Sequence, residues 1–325
     1  MRMKLNKSFV LIGILFLVLL LAAGGGNEDS ENASEDGSNE ETQEGQARTL
    51  TDAAGNEVEI PANPENVIAS YLEDYLVALD ITPVAQWSVR DGEDVQDYLQ
   101  DDLGDVPTIP SDLPYEAVAS FEPDLLIMDS AEMVEGNKYD QYSKIAPTYV
   151  VGNEQNNEWR AELEEVAKVF GEEDKAEQVL AEYEEKAASA KEEINTAIGS
   201  DSAVALWLFS DTFYIVNENL SSGDVLYNDL GITTPNVVKE ISGDSVQNWS
   251  EISLEKLAEL DADHIFLAND DSDSGSKMLE DPIWQNIPAV KKGNIYEFSG
   301  DSAWLYTGPI ANSQIIDDVL KSVKE

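Results

Sequence analysis

Residues 172–199 read "EEDKAEQVLAEYEEKAASAKEEINTAIG", with no proline and a single glycine at the end. Ala176, Val179, Leu180, Tyr183, Ala187, Ala190 and Ile194 recur along this run at helical spacing. At a rise of ~1.5 Å per residue the run makes a helix of roughly 39 Å. That is long for a helix within one ordinary domain. It predicts a rod with a separate body on each side.

Both sides alternate between strand and helix patterns. Before the rod stand "NVIAS", "DYLVALD", "PVAQWS", "YEAVASF", "DLLIMDS" and "TYVV"; after it come "SAVALWLFS", "TFYIV", "DHIFLAND" and "NIYEFS". Such alternation argues for parallel α/β layers. The two sides also echo each other. "YEAVASFEPDLLIM" at 115–128 aligns with "LEKLAELDADHIFL" at 254–267, with Glu116/Glu255, Ala119/Ala258 and Asp124/Asp263 identical. Ahead of the first body, "TLTDAAGNEVEIP" alternates around Gly55-Asn56 and predicts a small edge hairpin.

The chain begins with Arg2, Lys4 and Lys7 and an apolar run from Phe9 to Ala23, the layout of an export signal. Leu21-Ala22-Ala23 then leads to Gly24, where a lipid-modified cysteine would stand, and the chain has no cysteine. Lipid attachment there is chemically impossible. Ala22 and Gly24 fit ordinary cleavage, and an uncleaved apolar anchor is the other reading. Residues 27–46 carry eight acids and no base, and they read as a solvated tether.

Acidity extends into the body. The chain has 66 acidic residues against 19 Lys and Arg, for a net charge of −47. Such a surface repels phosphate backbones and anionic headgroups, so nucleic acid is not an expected partner. Without cysteine there is neither thiol catalysis nor a disulfide frame. The one histidine, His264, lies within the apolar "HIFLA" and reads as core, leaving no set for binding a bare transition metal. "DDSDSG" at 270–275 opens like a calcium loop, but Asp281 stands where that loop needs glutamate.

"TLTDAAGNEVEIPANPENVIAS", "FEPDLLIMDS", "YSKIAPTYVV", "ISLEKLAELDADHIFL" and "DPIWQNIPAVKKGNIYEF" occur in an order that resembles the extracellular solute-binding proteins of iron–siderophore ABC importers. The likeness runs from about Arg48 to the C-terminus and is closest to the hydroxamate-siderophore receptors of Gram-positive bacteria. It implies an α/β fold of two Rossmann-like lobes joined by one long rigid helix, with the ligand cleft between lobes. The expected division is 1–26 signal or anchor, 27–47 tether, 48–171 N-terminal lobe, 172–199 connecting helix and 200–325 C-terminal lobe. It also implies a monomer without enzymatic activity or intrinsic cofactor, on the outer face of the membrane or secreted. The ligand would be a ferric siderophore, and the partners an ABC permease and its ATPase. One carboxylate per lobe docks on the permease in this family, and Asp74 and Asp224 occupy the matching positions.

Parallel α/β lobes bind ligands beyond the carboxyl ends of their strands. Tyr71, Trp87 and Arg90 fall there in lobe one; Trp207, Trp304 and Tyr306 fall there in lobe two. Aromatic faces with a few donors suit a bulky, weakly charged ferric hydroxamate. Trp207, inside "AVALWLFS", fits strand core equally well, and Arg90 fits a surface ion pair with Asp91 or Glu93. Scarce cations disfavour a ferric catecholate or ferric citrate, while a corrinoid such as cobalamin is another ligand the fold could hold. A secreted hydrolase is the reading from another class. The chain has no G-x-S-x-G and no phosphate loop, so such an enzyme would rely on paired carboxylates.

Overall fold

A computed structural model describes residues 47–324, apart from 93, 154–157, 244, 246 and 272–275. The expected export segment, the tether up to residue 46 and most of the 270–275 loop lie outside the described residues. Strands β1 (Arg48–Thr51) and β2 (Glu57–Ile60) form the antiparallel hairpin. Gly55 at φ +84° makes its left-handed turn, and the Asn56 amide donates to the Asp52 carboxylate at 2.7 Å.

Five strands follow in lobe one: β3 (Val67–Ile68), β4 (Gln86–Ser88), β5 (Thr108–Pro110), β6 (Leu125–Ser130) and β7 (Thr148–Gly152). A parallel sheet runs in the order β3-β6-β7, and β4 and β5 form a separate parallel pair. "LLIMDS" of β6 is buried throughout, as a strand covered on both faces must be.

Lobe two holds β8 (Ala203–Phe209), β9 (Thr212–Val216), β10 (Trp249–Glu251), β11 (His264–Asn269) and β12 (Ile295–Ser299). The sheet order is β10-β9-β8-β11-β12, with β8, β11 and β12 parallel and β9 and β10 antiparallel. Ser210 and Asp211, at φ +50° and +58°, turn β8 into β9, and the Asp271 carboxylate accepts both of their amides. His264 is buried in β11. The echoed segments form the same unit twice: helix Tyr115–Ser120 into β6, and helix Leu254–Leu257 into β11.

Helix Glu173–Ile198 is the rod, and it buries Ala176, Tyr183, Ala187, Ala190 and Ile194 before ending at Gly199. The C-terminal helix Pro309–Lys324 packs along it and also against helix Glu73–Ala78 of lobe one. The chain therefore crosses between the lobes through the rod, and its last helix bridges them by packing on both the rod and lobe one. Gly308 precedes that helix. It holds φ +144°, and a Cβ there would stand 2.5 Å from the Asp74 Cγ.

Candidate functional site

The strand ends of both lobes meet at a set of aromatic rings. Tyr71 follows β3 at φ +70° and is 38% exposed. Its ring lies 5.5 Å from Trp87 of β4 and 6.2 Å from Tyr306, which follows β12 in lobe two. Trp87 and Tyr306 are 6.4 Å apart, and Tyr98 packs 5.4 Å from Tyr306. Three of the six expected ligand residues thus converge in one cage spanning the lobes. Burial and nearby carboxylates push the Tyr71 hydroxyl up to about 12, so it stays a donor at neutral pH.

Glu73 fixes the lobe-one half of this cage. Its carboxyl is fully buried, and Oε1 accepts the Trp87 amide at 2.6 Å. Burial raises it to about 7, while the backbone bonds from Trp87 and Tyr71 pull the other way. The pattern of "YLED" did not single Glu73 out, because an acid in a first helical turn ordinarily faces solvent.

A cavity of about 330 Å³ lies beside Trp87, lined by Ser70, Tyr71, Ser111, Asp129 and Met133 among others. A second of about 320 Å³ shares Tyr71 with it and is lined from both lobes, including Asp129, Trp159, Arg160, Ser221 and Asp224. Asp129 borders both. Burial, followed by repulsion from and hydrogen bonding with Glu162, pushes Asp129 up to about 8. The two carboxyls are therefore held together as a hydrogen-bonded pair at the cleft, which disfavours charge on both at once.

Arg90 and Trp207 are held by other partners. Arg90, at φ +48°, pairs with Asp94. The Trp207 indole donates to Asp270 at 2.7 Å, and its ring packs with Phe209, Tyr214 and Trp249 at the end of β8.

Two expectations are corrected by burial. Trp304 is 1% exposed, stacked on Phe266 at 4.9 Å and on Phe298 at 5.1 Å, and its indole donates to Asp318. It is core. Asp74 is also 1% exposed, and its oxygens accept the amides of Ile310 and Ala311 at 2.9 Å each. Tyr98 bonds it as well, and burial raises it to about 6 against those bonds. Asp74 caps the returning helix from the opposite lobe and is closed to an approaching arginine. Asp224 sits at the second cavity, where Asn228 donates to it at 2.6 Å and Arg160 stands 3.9 Å away.

Arg160 is a residue that the sequence reading passed over. It opens helix Trp159–Phe170 and pairs with Glu184 of the rod and Asp229 of lobe two, each at 2.8 Å. Its guanidinium lies 4.5 Å over Trp159 and 5.4 Å over Tyr183, whose hydroxyl donates to Asp229 at 2.6 Å. One side chain thus joins lobe one, the rod and lobe two. The signal for it was present: three arginines follow the export segment, and this one borders "NNEWR" just ahead of the rod.

No group of acids and histidine among the described residues is arranged to hold a metal ion. No helix among them is long and apolar enough to cross a membrane.

Comparison with known proteins agrees with this architecture. The iron(3+)-hydroxamate-binding protein YxeB of Bacillus subtilis (strain 168) is 27% identical over 329 aligned residues, covering 96% of this chain and 95% of that one. The iron(3+)-hydroxamate-binding protein FhuD of the same organism is 29% identical over 283, covering 85% and 87%. A solved Bacillus subtilis structure of the FhuD fold family, a periplasmic binding protein component of a Fep/Fec-like ferrichrome ABC transporter, superposes with a TM-score of 0.70. It is 27% identical and covers 85% of this chain and 100% of its own. Residues 69–301 match the family described as periplasmic binding protein. With most of its length inside that match and two α/β lobes meeting at a cleft, the chain belongs to the periplasmic binding proteins, a family of binding proteins rather than enzymes.

Proposed function

We propose that this chain captures a ferric hydroxamate siderophore outside the cell membrane and delivers it to the permease and ATPase of an ABC importer. The observation that carries this reading is the ring cage. Tyr71 and Trp87 of lobe one face Tyr306 of lobe two, so one bulky ligand between the lobes touches aromatic faces from both. A tris-hydroxamate chelate is large, partly apolar and weakly charged, and such rings suit it. The names of the two relatives support the same ligand class.

Tryptophan fluorescence of the chain, titrated with iron-loaded and iron-free hydroxamate, tests the proposal. Saturable quenching by the ferric form is expected. Trp87→Ala and Tyr306→Ala are each expected to weaken binding about 10- to 100-fold, because a ring at the centre of an interface carries a large share of affinity. Trp304→Phe should leave the affinity unchanged. Absence of saturable quenching by any ferric hydroxamate would sink the proposal.

For docking, we infer that Glu116 and Glu255 take the role expected of Asp74 and Asp224. They are the same position in the two echoed units, each in the first turn of its helix, and both are exposed. Asp74 is capped and Asp224 faces the cleft. Reversing both glutamates to arginine should preserve the fluorescence titration and cut uptake into permease-bearing vesicles about tenfold or more. Unchanged uptake would count against these two residues.

A further inference from the structure

Two rings of the cage, both from lobe one, hang on a single buried side chain. Glu73 opens helix Glu73–Ala78 and is fully buried. Its Oε1 accepts the Trp87 amide at 2.6 Å, and the Tyr71 amide bonds the same carboxyl. Tyr71 holds φ +70°, a conformation that a bulky residue keeps only where its surroundings impose it. Glu73 supplies part of that constraint.

The other oxygen, Oε2, is buried and has no hydrogen-bond partner. Besides burial, the main influences on the carboxyl are backbone amides rather than a cation. Near it stand Tyr71 in its own turn, Asp74 and Tyr75 on its helix, Asp129 of β6 and Glu162 of helix Trp159–Phe170. Tyr98 and the last helix meet this helix through Asp74. None of these side chains carries a positive charge. A buried carboxylate with one bare oxygen is costly, and a proton on Oε2 removes that cost. The bond to Trp87 survives protonation, because the carbonyl oxygen of the neutral acid still accepts an amide.

Tyr71 and Trp87 also border the cavity of about 330 Å³. Water in that cavity lowers the cost of a charge on the carboxyl behind them. A bulky chelate seated there displaces the water, so the occupied cleft favours the neutral acid more than the empty one does. We infer that Glu73 is a positioning residue that holds Tyr71 and Trp87 as the neutral acid, and that capture of the ferric hydroxamate is coupled to the proton on this carboxyl. This inference rests on the reading of the cleft as a ferric hydroxamate site. By linkage, a group that holds its proton more tightly in the bound state favours capture at low pH. That advantage is lost as pH rises through the free and then the bound value. Burial sets the free value of Glu73 at about 7, so the loss falls across and above neutral pH.

The test is the fluorescence titration, run from about pH 5.5 to about pH 8.5 with a ferric tris-hydroxamate that has no ionisable group outside its iron centre. The unaltered chain should bind about tenfold more weakly at the alkaline end, the change that a one-unit shift on binding produces. Calorimetry near neutral pH, in two buffers of different ionisation enthalpy, should show net proton uptake on binding. That readout needs no variant. Glu73→Gln keeps a carbonyl acceptor for Trp87 and cannot ionise, so its affinity should stay level across the range. Asp74→Asn and Asp129→Asn should each retain the slope. A level affinity in the unaltered chain, or a slope that survives in Glu73→Gln, overturns the proton coupling and leaves the hydroxamate reading standing. A slope lost in Asp129→Asn instead assigns the proton to the Asp129–Glu162 pair and overturns it too. No binding at any pH overturns both readings.

Discussion

Arg160→Ala is expected to destabilise the folded chain by about 3 kcal/mol, read from the midpoint of urea unfolding. The substitution leaves Asp229, whose side chain is 10% exposed, facing Asp224 and Glu184 without the cation that holds them together. Removing one partner of a buried pair costs about 3–5 kcal/mol. Arg160 is itself a quarter exposed, which places the effect at the lower end of that range. Arg160→Lys should recover only part of the loss. Lysine keeps the charge, but it lacks the planar fork that reaches Glu184 and Asp229 together while lying over Trp159. A loss below about 0.5 kcal/mol for the alanine variant would mean that the pairs behave as ordinary surface pairs.

Asp74→Ala is expected to cost about 2 kcal/mol. Two backbone amides at the start of the returning helix lose their acceptor, and an unsatisfied buried donor costs about 1–3 kcal/mol. Part of this is offset, because the carboxylate is itself poorly solvated, with a pKa raised to about 6. That value fixes the sign of a pH effect. Between an unfolded value near ~4 and the folded value, the folded chain binds more protons than the unfolded chain. This group's contribution is therefore full below ~4 and falls as pH rises through about 6. Asp74→Asn should remove that slope while keeping one acceptor for the helix. An unchanged slope between pH 4 and 6, compared by urea melts of the two chains, would refute the assignment.

Much of the fold could be read from local pattern. The central strands β6 and β11 lie on short apolar runs, because a strand covered on both faces is largely apolar. The rod was visible through the spacing of Ala176, Tyr183, Ala187, Ala190 and Ile194. The echo at 115–128 and 254–267 became two copies of one helix-to-strand unit. The residues that were misplaced depend on distant partners. Trp304 sits in a polar stretch, and what buries it is Phe266 and Phe298 from neighbouring strands. Asp74 looks like a helix-start acid, yet the amides it serves are 236 and 237 positions away. Arg160 carries no local motif at all; its meaning comes from Asp229 and Glu184. Tyr71, Trp87 and Tyr306 could be picked out as aromatics at strand ends, but their convergence could not.

The returning C-terminal helix changes what occupancy means for this molecule. One covalent crossing, the rod, and one helix held on lobe one by Asp74 tie the facing surfaces together. Each such tie reduces the affinity that binding must spend on rearrangement. A receptor built this way works less like a jaw than like a lens mount.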